Sequence, residues 1–236
     1  MSIVNRFWEK IVKPILIKTE AKKIIEIGSG LGNNTRNLLG YCQAMDAQLT
    51  AIDPKPLFDV KTWTDLYPEH LTVYQQPSMQ ILPQLEDYDV VLIDGDHNWY
   101  TVYNELNLIE KNALKNQKLP LIFLHDTDWP FARRDLYFYP ESIPEEYRQP
   151  YAQKGIVQGK SELVDEGGLH SSYFNALYEN GEKNGVLTAI EDFLKQTSLP
   201  NILFKAYSNR GLCTIVPSDN KTLVKSIKYI FDSSGM

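Results

Sequence analysis

Three glycines stand in one short run, Glu26-Ile-Gly28-Ser29-Gly30-Leu-Gly32, that leaves an apolar stretch and enters Asn33-Asn-Thr-Arg. Glycines at this spacing permit a tight turn and let backbone amides approach a ligand at a helix N-terminus. About twenty residues on, Ile52-Asp53 ends a second apolar run, where a carboxylate can accept hydrogen bonds from both hydroxyls of a ribose. A dinucleotide fingerprint would put its third glycine at position 33. Asn33 stands there instead, and Gly32 completes a G-x-G-x-G pattern, which disfavours NAD.

A second constellation lies further along. Asp89-Val-Val-Leu-Ile-Asp94-Gly-Asp96-His97 puts a carboxylate at the end of an apolar run and a histidine three residues later, just before Asn98, where a helix can open. Leu124-His125-Asp126-Thr127-Asp128 ends another run in the same way. An imidazole titrates near neutrality and can serve as general base. The plainer alternatives are a cofactor contact or helix cap for Asp94, a solvent-facing Asp96, a helix-start role for His97 and a hydrogen-bonded buried His125.

These residues need a scaffold that delivers them to one edge. Strands are expected at 23–28, 49–53, 71–75, 89–94 and 120–125, with helical stretches at 33–42, near 60–67, at 79–86 and at 99–115. Such alternation is how a parallel sheet wrapped by helices reads from sequence. A helix from about Gly185 to Gln196, strands at 202–207 and 212–216 joined by the turn Ser208-Asn-Arg-Gly211, and a helix at 220–231 close the chain. The expected class is therefore α/β, mostly parallel, with seven strands ending in an antiparallel hairpin. Residues 3 to 18 carry Ile3, Val4, Phe7, Trp8, Ile11, Val12, Ile15 and Leu16 at three-and-four spacing, an amphipathic helix able to dock on the domain, a second subunit or a membrane surface.

Between Asp128 and Lys183 the rhythm stops. Ten of the chain's 27 aromatics fall in residues 129–178, more than a solvated linker would hold, so this insertion is expected to fold over something. It begins beside the second constellation and suits a substrate wall or lid, or equally a homodimer interface. Arg133 and Arg134 could meet an anionic substrate; a salt bridge to Asp135 or a nearby Glu is the expected role. His170 is a further candidate for the pocket.

At 236 residues, the expectation is one domain, 1–236, with a helix over 1–20 and the insertion at 128–183. A net charge of -6 with scattered Lys and Arg gives no footprint for nucleic acid. Two distant cysteines, Cys42 and Cys213, suggest neither disulfides nor a zinc knuckle and fit a reducing cytoplasm. No run approaches the roughly 20 apolar residues that span a bilayer.

The glycine loop resembles motif I of class I S-adenosylmethionine (SAM)-dependent methyltransferases, and the closing hairpin is similar to their sixth and seventh strands. The similarity covers about 23–127 and 184–216. It implies a Rossmann-like sheet. It also implies SAM held by Glu26, Gly28, Ser29, Gly30, Gly32, Asn33 and Asp53, with Gln76 and Ser78 near the adenine and Asp94 beside the cofactor. The second constellation resembles metal-dependent small-molecule O-methyltransferases, including catechol-type and macrolide-sugar enzymes, and the Asp-Gly-Asp-His wording is similar to the branch containing cephalosporin-hydroxylase-like sequences. That implies Mg2+ on Asp94 and Asp126 and a base at His97. The strand-five acid is flanked here by His125 and Thr127, where those families often carry Asn, Asp or Glu, which leaves Thr127 as the candidate third ligand. The implied reaction is methyl transfer to a hydroxyl of a small polar molecule. A metal-independent N-methyltransferase and a SAM-binding, non-catalytic partner subunit stay open as alternatives.

Overall fold

A computed structural model describes residues 7–207 and 210–236. The chain groups into two compact units, the first comprising residues 1–95, 108–125 and 198–236, the second residues 96–107 and 126–197.

In the first unit the apolar runs become strands β1 (Lys23–Ile27), β2 (Gln48–Ile52), β3 (Leu71–Tyr74), β4 (Val90–Ile93) and β5 (Leu121–His125). Every residue of β4 and β5 is buried, as expected of parallel strands covered on both faces. With β9 (Asn201–Ala206) and β10 (Leu212–Pro217) they form one seven-stranded sheet ordered β3-β2-β1-β4-β5-β10-β9. Pairing from β3 through β5 is parallel, and β10 runs antiparallel to both β5 and β9. The strand order reverses at the β1–β4 junction, where doubly wound sheets bind ligands beyond the carboxyl ends of their strands. This is the expected Rossmann-like architecture with its terminal hairpin; residues 208–209 of the expected turn lie outside the described residues.

A π-helical turn, Trp8–Val12, leads into α1 (Lys13–Thr19). Phe7, Trp8, Ile11, Val12, Ile15 and Leu16 are all buried in the same hydrophobic cluster as β1, β5 and the C-terminal helix α7 (Lys221–Ser234). The apolar stripe is therefore spent on the chain's own core; Ile3 and Val4 fall outside the described residues. Helices α2 (Asn33–Met45), α3 (Val60–Leu66) and α5 (Trp99–Asn116) form close to where the pattern puts them. The stretch expected at 79–86 shortens to α4 (Ser78–Ile81) and a 3-10 turn containing Pro83, whose missing N–H cannot extend an α-helix.

The second unit holds a small antiparallel sheet of β6 (Leu136–Tyr137), β8 (Phe174–Ala176) and β7 (Tyr151–Ala152), followed by α6 (Val186–Gln196). The sequence predicts no strand in this insertion, and the structure corrects that: strands two or three residues long are too brief to leave a period-two signal. Among the described residues no helix is long and apolar enough to cross a membrane.

Candidate active site

In the first unit, register brings the expected ligand-facing positions to one edge. Ile27 lies opposite Ile52 on one side and Ile93 on the other, so Gly28, Asp53 and Asp94 each follow directly on adjacent strand ends. The Gly28 amide donates to the Ile52 carbonyl at 2.9 Å and the Asp94 amide to that of Ile27 at 2.9 Å, which carries the ladder into the loops.

The glycines serve different ends. Gly28 has φ +85, and a Cβ there would sit 2.4 Å from the Asp94 carbonyl oxygen, so close approach of two backbones demands it. A Cβ on Gly30 would meet nothing within 4 Å, so the space before this residue is open to a ligand. Gly32 caps α2. Gly28→Ala is expected to destabilise the chain by about 2 kcal/mol, since neither backbone can yield cheaply and φ is left-handed. A melting temperature unchanged from wild type would contradict this reading.

Asp53 ties the loop together. Its Oδ2 accepts from the Ser29 amide at 2.9 Å, the Gly30 amide at 2.8 Å and the Ser29 hydroxyl at 3.2 Å, while Oδ1 accepts from the Lys55 amide at 2.8 Å. Glu26 points the other way, into the first turn of α2, where Asn34 Nδ2 and Thr35 Oγ1 donate to it at 2.9 and 2.6 Å. Complete burial pushes its carboxyl from 4.5 up to about 7; the hydrogen bonds from Thr35 and Asn34 pull down, and Asp94 and Asp53 add to the rise. Asn33 is exposed, one residue short of these contacts. Beyond β3, Gln76 is exposed and Ser78 is buried at the start of α4. His125, 3% exposed, meets Asp94 through Nδ1–Oδ1 at 2.9 Å and presents its ring to the edge of Phe7. It is the hydrogen-bonded buried histidine expected.

In the second unit, His97 and Asp126 form a pair, Nε2 to Oδ2 at 2.7 Å, with the carboxylate side chain only 1% exposed. Asp126 has φ +56, a left-handed backbone that costs a residue with a Cβ on the order of 1 kcal/mol and recurs where geometry serves a site. His97 is pinned through its own backbone: its carbonyl accepts from the Leu136 amide at 3.0 Å. Immediately after it, Asn98 Oδ1 caps α5 by accepting from the Thr101 amide at 2.8 Å, and Asp96 Oδ2 accepts from the Thr101 hydroxyl at 3.0 Å rather than facing solvent freely. Thr127 is 8% exposed. Rings of Phe131 and Phe138 flank the imidazole at 5.0 and 5.7 Å, and His170 lies edge-on to Phe131 at 5.1 Å. Arg133 binds Glu191 bidentately at 2.7 and 2.8 Å, and the fully buried Arg134 bonds the Ala176 and Ser161 carbonyls, so both arginines are structural.

One residue that sequence reading missed governs this unit. Asp135, fully buried, accepts from the Trp99 amide at 2.7 Å, the Gly185 amide at 2.6 Å and the Tyr137 hydroxyl at 2.8 Å. Two of these three partners lie 36 and 50 residues away in sequence, so local spacing does not announce the network.

With this geometry in hand, the relatives become informative. Residues 25–127 match the family described as methyltransferase domain. No curated protein sequence matches the chain. Among solved structures, the SAH-bound methyltransferase PaMTH1 of Podospora anserina is similar at TM-score 0.51 and 13% identity, covering 88% of this chain and 77% of that one. A Staphylococcus aureus protein described as a caffeoyl-CoA O-methyltransferase is similar at TM-score 0.52 and 14% identity, over 92% of this chain and 86% of that one. The PH0226 protein of Pyrococcus horikoshii reaches TM-score 0.51 at 14% identity, over 87% and 88%. At such identities the likeness is one of fold. The matched stretch contains the glycine loop, Asp53 and both acidic strand ends, and it stops at Thr127, where the aromatic insertion begins.

Proposed function

We propose that the chain transfers the methyl group of SAM to a hydroxyl of a small polar molecule such as a sugar or a secondary metabolite. The 2.7 Å contact between His97 and Asp126 carries this reading, because oxygen acceptors need a base and this pair supplies one. A carboxylate 2.7 Å from an imidazole favours the protonated ring. The imidazole takes the hydroxyl proton as the acceptor oxygen bonds to the methyl carbon, and the carbon–sulfur pair stays with sulfur. Asp126 stabilises the resulting imidazolium and fixes the ring's orientation. SAM, when bound, contributes a methyl group made electrophilic by its sulfonium.

The first unit supports SAM as donor through the open face of Gly30 and the Asp53 carboxylate beside it. Asp53 already receives four donors, about the number of its lone-pair sites. Three of the four fall on Oδ2 and one on Oδ1, so a ribose hydroxyl would meet Oδ1, beside the Lys55 amide. Calorimetry with SAH tests the donor: absence of binding heat in folded protein would sink the proposal.

The donor chemistry within the second unit also fits a divalent cation such as Mg2+, with a carboxylate oxygen from Asp126, the His97 imidazole beside it and Thr127 as a further oxygen. Bound there, the ion would lower the pKa of the acceptor hydroxyl. Removal of metal by a chelator separates this from the metal-free pair. Cation dependence predicts at least about a tenfold loss of turnover, restored by Mg2+, which is the scale of one coordinated activating ion; full activity in chelator leaves His97 and Asp126 to act alone.

A further inference from the structure

We propose that the second unit carries an additional small-molecule site, for a planar or sugar ring bearing a carboxylate or phosphate, in the aromatic cleft between α5 and the turn before α6. The cleft measures about 520 Å³, within the range of pockets that enclose small organic ligands. Trp99, Tyr100 and Tyr103 line it from the first turns of α5, and Tyr147 faces them from the insertion. Their rings are aligned: Trp99 and Tyr103 stack at 4.5 Å and 12°, and Trp99 and Tyr147 lie at 6.0 Å and 18°. Trp99 is itself covered by this stacking, at 4% exposure, so the ring surface offered to a flat ligand is that of Tyr100, Tyr103 and Tyr147.

The sign of charge selects the ligand. Lys183 and Lys195 both line the cleft, against one carboxylate, Asp192. Asp192 is already engaged on both oxygens, by the Trp99 indole N–H at 2.9 Å and the Lys195 ammonium at 2.8 Å. The Lys183 ammonium stands 4.9 Å from the Tyr147 ring centre and 5.4 Å from that of Trp99. A cation over rings at an exposed site is worth only about 0.5–1 kcal/mol and leaves three N–H donors for an anion.

The backbone is built to hold it there. Lys183 has φ +51, the left-handed region, and Gln149 Nε2 secures its carbonyl at 3.0 Å. The neighbouring Asn184 side chain bonds the Tyr178 and Asn180 carbonyls and the Asp135 amide, and Gly185 bonds the Asp135 carboxylate. A strained residue held on every side and aimed into an aromatic cleft is a functional arrangement.

Tryptophan fluorescence of the full chain, titrated with phenyl phosphate, benzoate and benzyltrimethylammonium, tests this, with Trp99→Phe identifying the reporting ring. At least one anion is expected to bind saturably and more tightly than the cation, and whichever anion binds more tightly names the group preferred. Lys183→Met and Lys183→Gly, the latter suited to the left-handed backbone, should each weaken anion binding about tenfold, the worth of one charge-assisted hydrogen bond. Lys195→Met, exposed on α6, supplies a variant that folds independently of that turn and should weaken binding as well. Tighter binding of the cation, absence of saturable anion binding, or anion affinity unchanged in the folded variants would overturn the proposal.

Discussion

Replacing His97 with alanine is expected to lower kcat by about 10²- to 10⁴-fold, the usual contribution of a positioned general base. The affinity for SAH should stay within about twofold, since the glycine loop and Asp53 belong to the other unit and take partners such as Ile52, Lys55 and Tyr74 there. Asp126→Asn is expected to fall nearly as far despite keeping the shape of the pair. An amide carries no charge to stabilise the imidazolium, so the ring loses basicity even where its position is kept. Turnover in His97→Ala should recover in part as pH rises, because hydroxide replaces the missing acceptor. A kcat within about threefold of wild type and a pH profile unchanged would remove His97 from the reaction, because loss of a base costs more than that.

The parts of this arrangement that sequence discloses are those fixed by local rules. Buried strands such as Val90–Ile93 read as unbroken apolar runs, and a parallel sheet then carries whatever follows each run to the same edge. That is why Gly28, Asp53 and Asp94 could be grouped before any coordinates. What local rules do not fix is where a side chain turns. Glu26 has the spacing of a ligand contact, yet Asn34 and Thr35 draw it into the helix behind the loop. Asp53 has a lone-pair set suited to a ribose, and the loop's own amides take it first. The insertion was harder still. Its strands are two or three residues long, and its order comes from buried polar groups with distant partners: Asp135, Arg134 and Asn184 bond backbone atoms across tens of residues. Composition gave a trace of it, in the ten aromatics that a solvated loop would not hold.

Asp135→Ala is expected to be the most damaging single change in the second unit, by about 4 kcal/mol, because it strands the Trp99 amide, the Gly185 amide and the Tyr137 hydroxyl at once in a buried setting. Asp135→Asn should behave differently. Its amide oxygen can keep both amide donors, and its NH2 can donate to the Tyr137 oxygen, so the network survives without charge. The pH dependence then isolates that charge. Burial pushes the Asp135 carboxyl from 3.8 up to about 7, against the pull of the Gly185 and Trp99 amides and the Tyr137 hydroxyl. A carboxyl with a folded pKa above its unfolded one stabilises most while protonated, so its contribution is complete below pH 4 and is lost as pH climbs to about 7. Glu26 acts with the same sign between 4.5 and about 7. Wild-type stability, followed by denaturant unfolding, should therefore fall between pH 5 and pH 7, by about 3 kcal/mol if Asp135 alone acts at full strength. Asp135→Asn should remove its share of that slope and equal or exceed the wild type above pH 7, where the buried charge is the liability. A steeper slope in the asparagine variant would mean that Asp135 is ionised throughout and that its three donors, not its burial, decide its state.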